Sequence, residues 1–260
     1  MTHWVWDTSP ILLDLGFLQL RWYGLFFAGG FYFGYRFMKR AYFWEGKPQW
    51  SVDQLLKYAI FGTLVGARLV HCLFYEPEFY LTHPWRILFI WEGGLASHGG
   101  YLGAFVAVWL FHKKQKNQPY LWILDRLAVA GVFAGSLIRV GNFFNSEIVG
   151  KVTEVPWAVV FIRRFSEPRH PTQLYEAICY FIVFLILYRI YVRLKHRTPE
   201  GLILGCAFIL MAMVRFSLEF TKRPQAAFAT EWTVNMGQWL SIPFLILGAY
   251  LVYRSMKSSE

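Results

Sequence analysis

Residues 126–150, "RLAVAGVFAGSLIRVGNFFNSEIVG", join two kinds of chemistry. Up to Ile138 the stretch is almost wholly apolar or glycine, the composition of a buried helix. Arg139, Asn142, Asn145 and Glu147 then arrive within nine positions, with Gly141 and Gly150 among them. A helix that ends so abruptly in polarity points to an interior where charge has a task.

The rest of the chain says which interior. Of 260 residues, 56% are hydrophobic and only 16% charged, against about 25% charged in a soluble domain. A membrane span needs ~20 mostly apolar residues. Seven stretches qualify, at roughly 16–38, 52–75, 86–111, 119–139, 172–192, 200–220 and 236–254. Alternating ten-residue strands of a β-barrel are not the pattern. The expectation is an all-α polytopic membrane protein, one domain over residues 1–260, with a small outer platform at about 141–171. Within that platform "VPWAVVFI" (155–162) reads as a short strand and suggests one hairpin. Pro171 marks the start of one helix, and Thr198 with Pro199 the N-cap of the next.

Lys and Arg placement orients the bundle. Lys39, Arg40, Lys47, Lys113, Lys114, Lys116, Arg193, Lys195, Arg197, Arg254 and Lys257 fall in alternate loops. Residues 1–15 carry none, so the N-terminus is expected outside and the C-terminus inside. The net charge of +10 is then mainly a topology signal. Split among short loops, it argues against nucleic-acid binding. Lys151, Arg163, Arg164, Arg169, Lys222 and Arg223 break the pattern by falling outside, which suggests an anionic ligand there. The start "MTHWVWD" has no basic n-region, so the first span is expected to stay as an anchor. Cys72, Cys179 and Cys206 lack metal-ligand spacing and read as packing residues.

Ionisable residues at membrane depth are candidate functional groups. Arg21 and Tyr23 sit in "LRWYG" (20–24), which also suits an interfacial anchor. Arg68 in "GARLVH" lies deeper and calls for an anionic partner. Gly62 and Gly66 form a small-xxx-small seam. "WEGGLASHGG" (91–100) surrounds His98 with glycines, so a broken or re-entrant segment is expected. His98 is either a satisfied core imidazole or a base. Arg169, His170 and Glu176 enter a span from outside, and Arg215 and Glu219 share a helical face at i, i+4. Carboxylates will pair with some of these cations, and a spare guanidinium suits a phosphate. In a membrane the nearest abundant phosphate is a lipid headgroup.

"IRVGNFFNSEIVG" resembles the signature of the prolipoprotein diacylglyceryl transferases. "RWYG", "GARL", "WEGGLASHGG", "PRHPTQLYEA" and "RFSLEF" are similar to further family motifs in the same order, over residues 19–220. Two departures stand out: Ile138 replaces a glycine, and "EFTKRP" offers Lys222 and Arg223 where the family tends to place an arginine. The resemblance implies transfer of a diacylglyceryl group from phosphatidylglycerol to the lipobox cysteine of a bacterial prolipoprotein. It implies a site on the outer face of the inner membrane and no metal or other cofactor. Carried onto this chain, Arg139 and Arg215 would hold the phosphate, and Asn142 and Asn145 would donate to phosphate or glycerol oxygens. Glu147 and Glu219 would orient the arginines, Tyr23 and Gly150 would contact substrate, and His98 would act as base. Arg21, Arg68, Arg169, His170 and Glu176 are further candidates. A transporter or channel for an anionic or lipid substrate is the rival class, disfavoured by the apolar inner halves of the spans. An intramembrane protease would want a Ser–His dyad, paired aspartates or "HExxH", and Ser97 beside His98 does not supply one.

Overall fold

In hydrocarbon the backbone has no water to bond, so long apolar runs satisfy their N–H and C=O groups as helices. The structure, a computed structural model, describes residues 3–16, 19–90, 93–94, 96–222 and 236–257. The chain opens with strands β1 (Trp4–Trp6), β2 (Ile11–Asp14) and β3 (Gln19–Arg21). Helices α1 (Trp22–Trp44), α2 (Trp50–Val70), α3 (Pro77–Thr82), α4 (Ser97–Lys114) and α5 (Tyr120–Phe144) follow. Strands β4 (Val159–Phe161) and β5 (Pro168–Arg169) precede α6 (Thr172–Leu194), α7 (Leu202–Leu218) and α8 (Met236–Lys257).

Among the described residues, five helical stretches are long and apolar enough to cross a membrane: Trp50–Tyr75, Tyr120–Phe144, Thr172–Arg197, Leu202–Thr221 and Gly237–Lys257. The chain is therefore a polytopic membrane protein. The other two expected spans map onto α1 and α4. Helix α1 has 23 residues but carries Arg36, Lys39 and Arg40. Helix α4 has 18 residues, or ~27 Å, just short of a ~30 Å hydrocarbon core. The span expected from residue 86 becomes α-helical only at Ser97; Pro84–Leu88 form a 3-10 turn. Gly93 and Gly94 take left-handed backbone, at φ +91° and +71°. This is the broken segment that the glycine spacing predicts.

The chain divides into two compact units, Lys39–Leu124 and Met1–Met38 with Asp125–Glu260. In the first, α2 and α4 meet along Gly62, Gly66, Gly99 and Gly103. A Cβ at Gly66 would stand 2.7 Å from the Cα of Gly103, and one at Gly103 2.9 Å from the Cα of Gly66. Main chain, not a flexible side chain, blocks any larger residue. Gly103→Leu should therefore cost roughly 3 kcal/mol or more. Folded yield in detergent is expected to collapse, while Gly131→Ala, which meets nothing within 4 Å, should not change it.

In the second unit, α1 packs on α5 through Phe33 and Phe133, whose ring centroids lie 4.0 Å apart. Asp125 is buried and caps α7, accepting from Gly201 N and Leu204 N at 2.8 Å each. The expected cap, Thr198, instead donates to Lys195 O at 2.7 Å, because α7 starts three residues later than the Thr-Pro signal suggested. The platform contains the expected hairpin, β4 antiparallel to β5. It also contains β1, which pairs parallel to β4 with Trp4 opposite Val159. Phe143, Val149, Val159 and Phe161 form its core, with Trp6, Phe165 and Leu174 packed around them. Strands β2 and β3 make a separate antiparallel hairpin.

Candidate active site

The polar end of α5 lies beneath this platform core, since Phe143 belongs to the core and Asn142 is its neighbour. Tyr23, at the start of α1, lies against Gly141: a Cβ there would be 3.0 Å from the ring and 3.2 Å from the Tyr23 Cα. Glycine at 141 lets the "RWYG" segment approach the signature.

After α5 the chain turns sharply. Ser146 and Ile148 both take positive φ, +55° and +53°. A β-branched residue rarely adopts this, and each such residue stores roughly 1–3 kcal/mol. The turn aims Glu147 back at the helix end: Asn142 Nδ2 and Asn145 Nδ2 donate to its two carboxylate oxygens at 3.4 Å. Arg164 of the platform lies 3.7 Å from the same carboxylate. The first turn of α6 clamps the strained loop. Thr172 Oγ1 donates to Ile148 O at 2.8 Å, and Gln173 Nε2 donates to Glu147 O.

One turn further along α6, Glu176 faces Arg139. Arg139 Nε lies 3.0 Å from Glu176 Oε2, a charge contact without hydrogen-bond alignment. Arg139 Nη1 donates to Asn142 Oδ1 at 3.1 Å. The Glu176 side chain is 1% exposed and that of Arg139 24%, so one edge of the guanidinium is anchored while part of it stays open. The carboxylate that holds Arg139 is thus Glu176, not Glu147.

Lys222 closes the cluster. Its Nζ is 2.6 Å from Glu176 Oε1 and 4.0 Å from Glu219 Oε2. Gly150 brings it there: residues 150 and 222 form an isolated antiparallel bridge, and Lys151 N donates to Thr221 O at 2.9 Å. A Cβ on Gly150 would come within 2.7 Å of His170 Cβ, Thr172 Cγ2 and Thr221 O. The expected Arg215–Glu219 side-chain pair does not form, although the Glu219 N–H still bonds Arg215 O at the end of α7. Glu219 turns instead to Lys222 and to the start of α8, where a Cβ on Gly237 would collide with its carboxylate. Arg215 is exposed, and like Arg139 lies close enough to act electrostatically on Tyr180. Arg223 lies outside the described residues.

The other candidates make contacts of their own or are exposed. Arg21 is exposed on β3. Arg169 is committed to the platform, with Nη2 donating to Glu167 at 2.8 Å and the guanidinium 4.3 Å over the Phe165 ring. His170 contacts the Tyr175 hydroxyl at 3.2 Å. Its burial, and secondarily the Lys151 ammonium, lower its pKa from the usual value, so it stays neutral further into acid. In the other unit, Arg68 is 3% exposed and bonds no carboxylate among the described residues. It donates instead to the carbonyls of Arg86, Ile87, Phe89, Gly93 and Gly94 at 2.5–3.3 Å. Among the described residues, these carbonyl dipoles supply negative potential to the guanidinium. His98 is exposed in the first turn of α4.

The arrangement is suited to hold an anionic, oxygen-rich group beside partly neutralised cations. Among the described residues, no three His, Cys, Asp or Glu groups are placed to bind a metal ion. A family model described as prolipoprotein diacylglyceryl transferase matches residues 10–254. The chain belongs to that family. It is 47% identical to the phosphatidylglycerol–prolipoprotein diacylglyceryl transferase of Tolumonas auensis, over 97% of either chain. The proteins of the same name from Chloroherpeton thalassium and Bacteroides fragilis are 44% and 41% identical, covering 98% and 95% of this chain and 95% and 94% of theirs. For this diacylglyceryl transferase family member, the sequence under-weighted Glu176, Gln173 and Lys222. Gln173 and Glu176, polar residues entering an apolar span, were the available signal.

Proposed function

We propose that the chain transfers the diacylglyceryl group of phosphatidylglycerol to the lipobox cysteine of a prolipoprotein, the first step of lipoprotein maturation. The thiolate attacks the glycerol carbon that bears the phosphate; the new C–S bond is a thioether, and the C–O bond breaks to release glycerol phosphate. The observation that carries the reading is Arg139: it is held along one edge by Glu176 and Asn142, within a chain whose relatives bear this name.

Arg139 and Arg215 bind the phosphate and take up charge as it leaves. Asn142 and Asn145, oriented by Glu147, add donors, and Tyr23 borders the headgroup. The thiol, ordinarily near pKa 8.5, is deprotonated by His98 or by the positive field alone. Residues 1–260 work as one domain of the bacterial inner membrane, with α1 and α4 as additional spans, the N-terminus outside and the site at the outer face.

The test is direct. Purified protein, phosphatidylglycerol and a lipobox peptide should yield a peptide carrying a diacylglyceryl adduct, absent with a Cys→Ser peptide. No adduct from folded protein defeats the reading. His98→Gln separates the two thiol routes. If His98 is the base, its rate falls by about two to four orders of magnitude at neutral pH and recovers as pH rises toward that of the free thiol. A rate within about twofold of wild type assigns deprotonation to the cationic field.

A further inference from the structure

Lys222 occupies a position the proposed chemistry leaves unused. It is buried, and its ammonium takes one oxygen of Glu176 while Arg139 approaches the other. A desolvated carboxylate facing a single guanidinium would pair with it in a two-bond fork. That fork is not made here. Arg139 presents only Nε to Oε2, without hydrogen-bond alignment, and turns Nη1 to Asn142.

We propose that Lys222 is a positioning residue: by holding Glu176 Oε1 it keeps that carboxylate from capturing the Arg139 guanidinium, which stays open to the substrate phosphate. The proposal rests on the reading of Arg139 as the phosphate ligand. The backbone supports it. The Gly150 bridge and the Lys222 N–H to Glu219 O bond, 3.2 Å, deliver the ammonium to this place. Glu219, 4.0 Å away, keeps the ammonium within the cluster. The chemistry of the side chain supports it too. A positive charge held on Oε1 offsets the carboxylate and leaves only Oε2 facing Arg139.

The experiment is a double-mutant cycle with purified protein in detergent, phosphatidylglycerol and a lipobox peptide, reading KM for the lipid, kcat and Tm. Lys222→Met should raise KM about tenfold or more, because Glu176 then pulls Arg139 away from the phosphate. Adding Glu176→Gln to that variant should recover at least about threefold of the loss, since the competing carboxylate is gone. Lys222→Arg restores a positive charge on Oε1 and should stay within about threefold of wild type. The proposal is overturned if KM is unchanged in Lys222→Met, or if the two single losses simply multiply in the double variant. It is also overturned if folded Lys222→Arg is as impaired as Lys222→Met. A lysine that only braced the fold would lower Tm and would not be rescued by removing Glu176. Normal turnover by Arg139→Gln would instead sink the phosphate assignment beneath it, whatever the cycle shows.

Discussion

Arg139→Gln should lower diacylglyceryl transfer by about two to three orders of magnitude, the loss typical of removing one preorganised donor from a developing oxyanion. The loss should appear in KM for the lipid as well as in kcat, because Arg139 holds the phosphate before reaction and the charge on its oxygens grows as the C–O bond breaks. Arg139→Lys should recover little. An ammonium can satisfy Glu176, but it cannot reach Asn142 Oδ1 and a phosphate with one planar group. The fold should survive either change. Glu176 retains Lys222 at 2.6 Å, so no bare carboxylate is left buried. Steady-state transfer to a lipobox peptide, with Tm measured alongside, checks both halves. Near-normal kcat in the glutamine variant would remove Arg139 from the chemistry.

Arg68→Leu should act on stability instead. The guanidinium gathers five main-chain carbonyls of the segment before α4; leucine removes this donor from all five, and the Arg86 carbonyl keeps the Phe89 N–H. A buried orphaned acceptor costs about 1–3 kcal/mol. Even with some of the carbonyls rehydrated, the total should reach about 3–5 kcal/mol, a large share of a typical stability of 5–15. The expected result is a sharp fall in folded protein extracted from membranes. Arg68→Lys should recover only part of it, since one ammonium has three donors and cannot span carbonyls from residue 86 to residue 94. An Arg68→Leu protein that folds normally but fails to transfer would reassign Arg68 to substrate binding.

These two arginines show where a sequence reading is strong and where it stops. Both were conspicuous as charge within apolar runs. Their partners were not. Glu176 stood as a secondary candidate because nothing local links it to Arg139, 37 positions earlier. Glu147 stood nearer in sequence and was preferred, yet the positive φ values at Ser146 and Ile148 turn it toward the asparagines and Arg164. Arg215 and Glu219 are one helical turn apart, yet Glu219 faces Lys222, which only the return of the chain after α7 places there.

By itself, the sequence determined the membrane class, the places where helices run, the broken glycine segment, the close-packing pair Gly62 and Gly66 and the ordered motifs of the family. Each is local: apolar length, helical period and glycine spacing act within a few turns. Only the tertiary structure decided which carboxylate meets which cation. It also decided that Arg68 bonds carbonyls, that Asp125 rather than Thr198 caps α7, and that three N-terminal residues join the platform sheet. Those contacts reach far along the chain, 37 positions from Arg139 to Glu176, 76 from Asp125 to Gly201 and 155 from Trp4 to Val159. Their selection depends on where packed backbones leave a charge or a strand edge, which no short stretch of chain encodes.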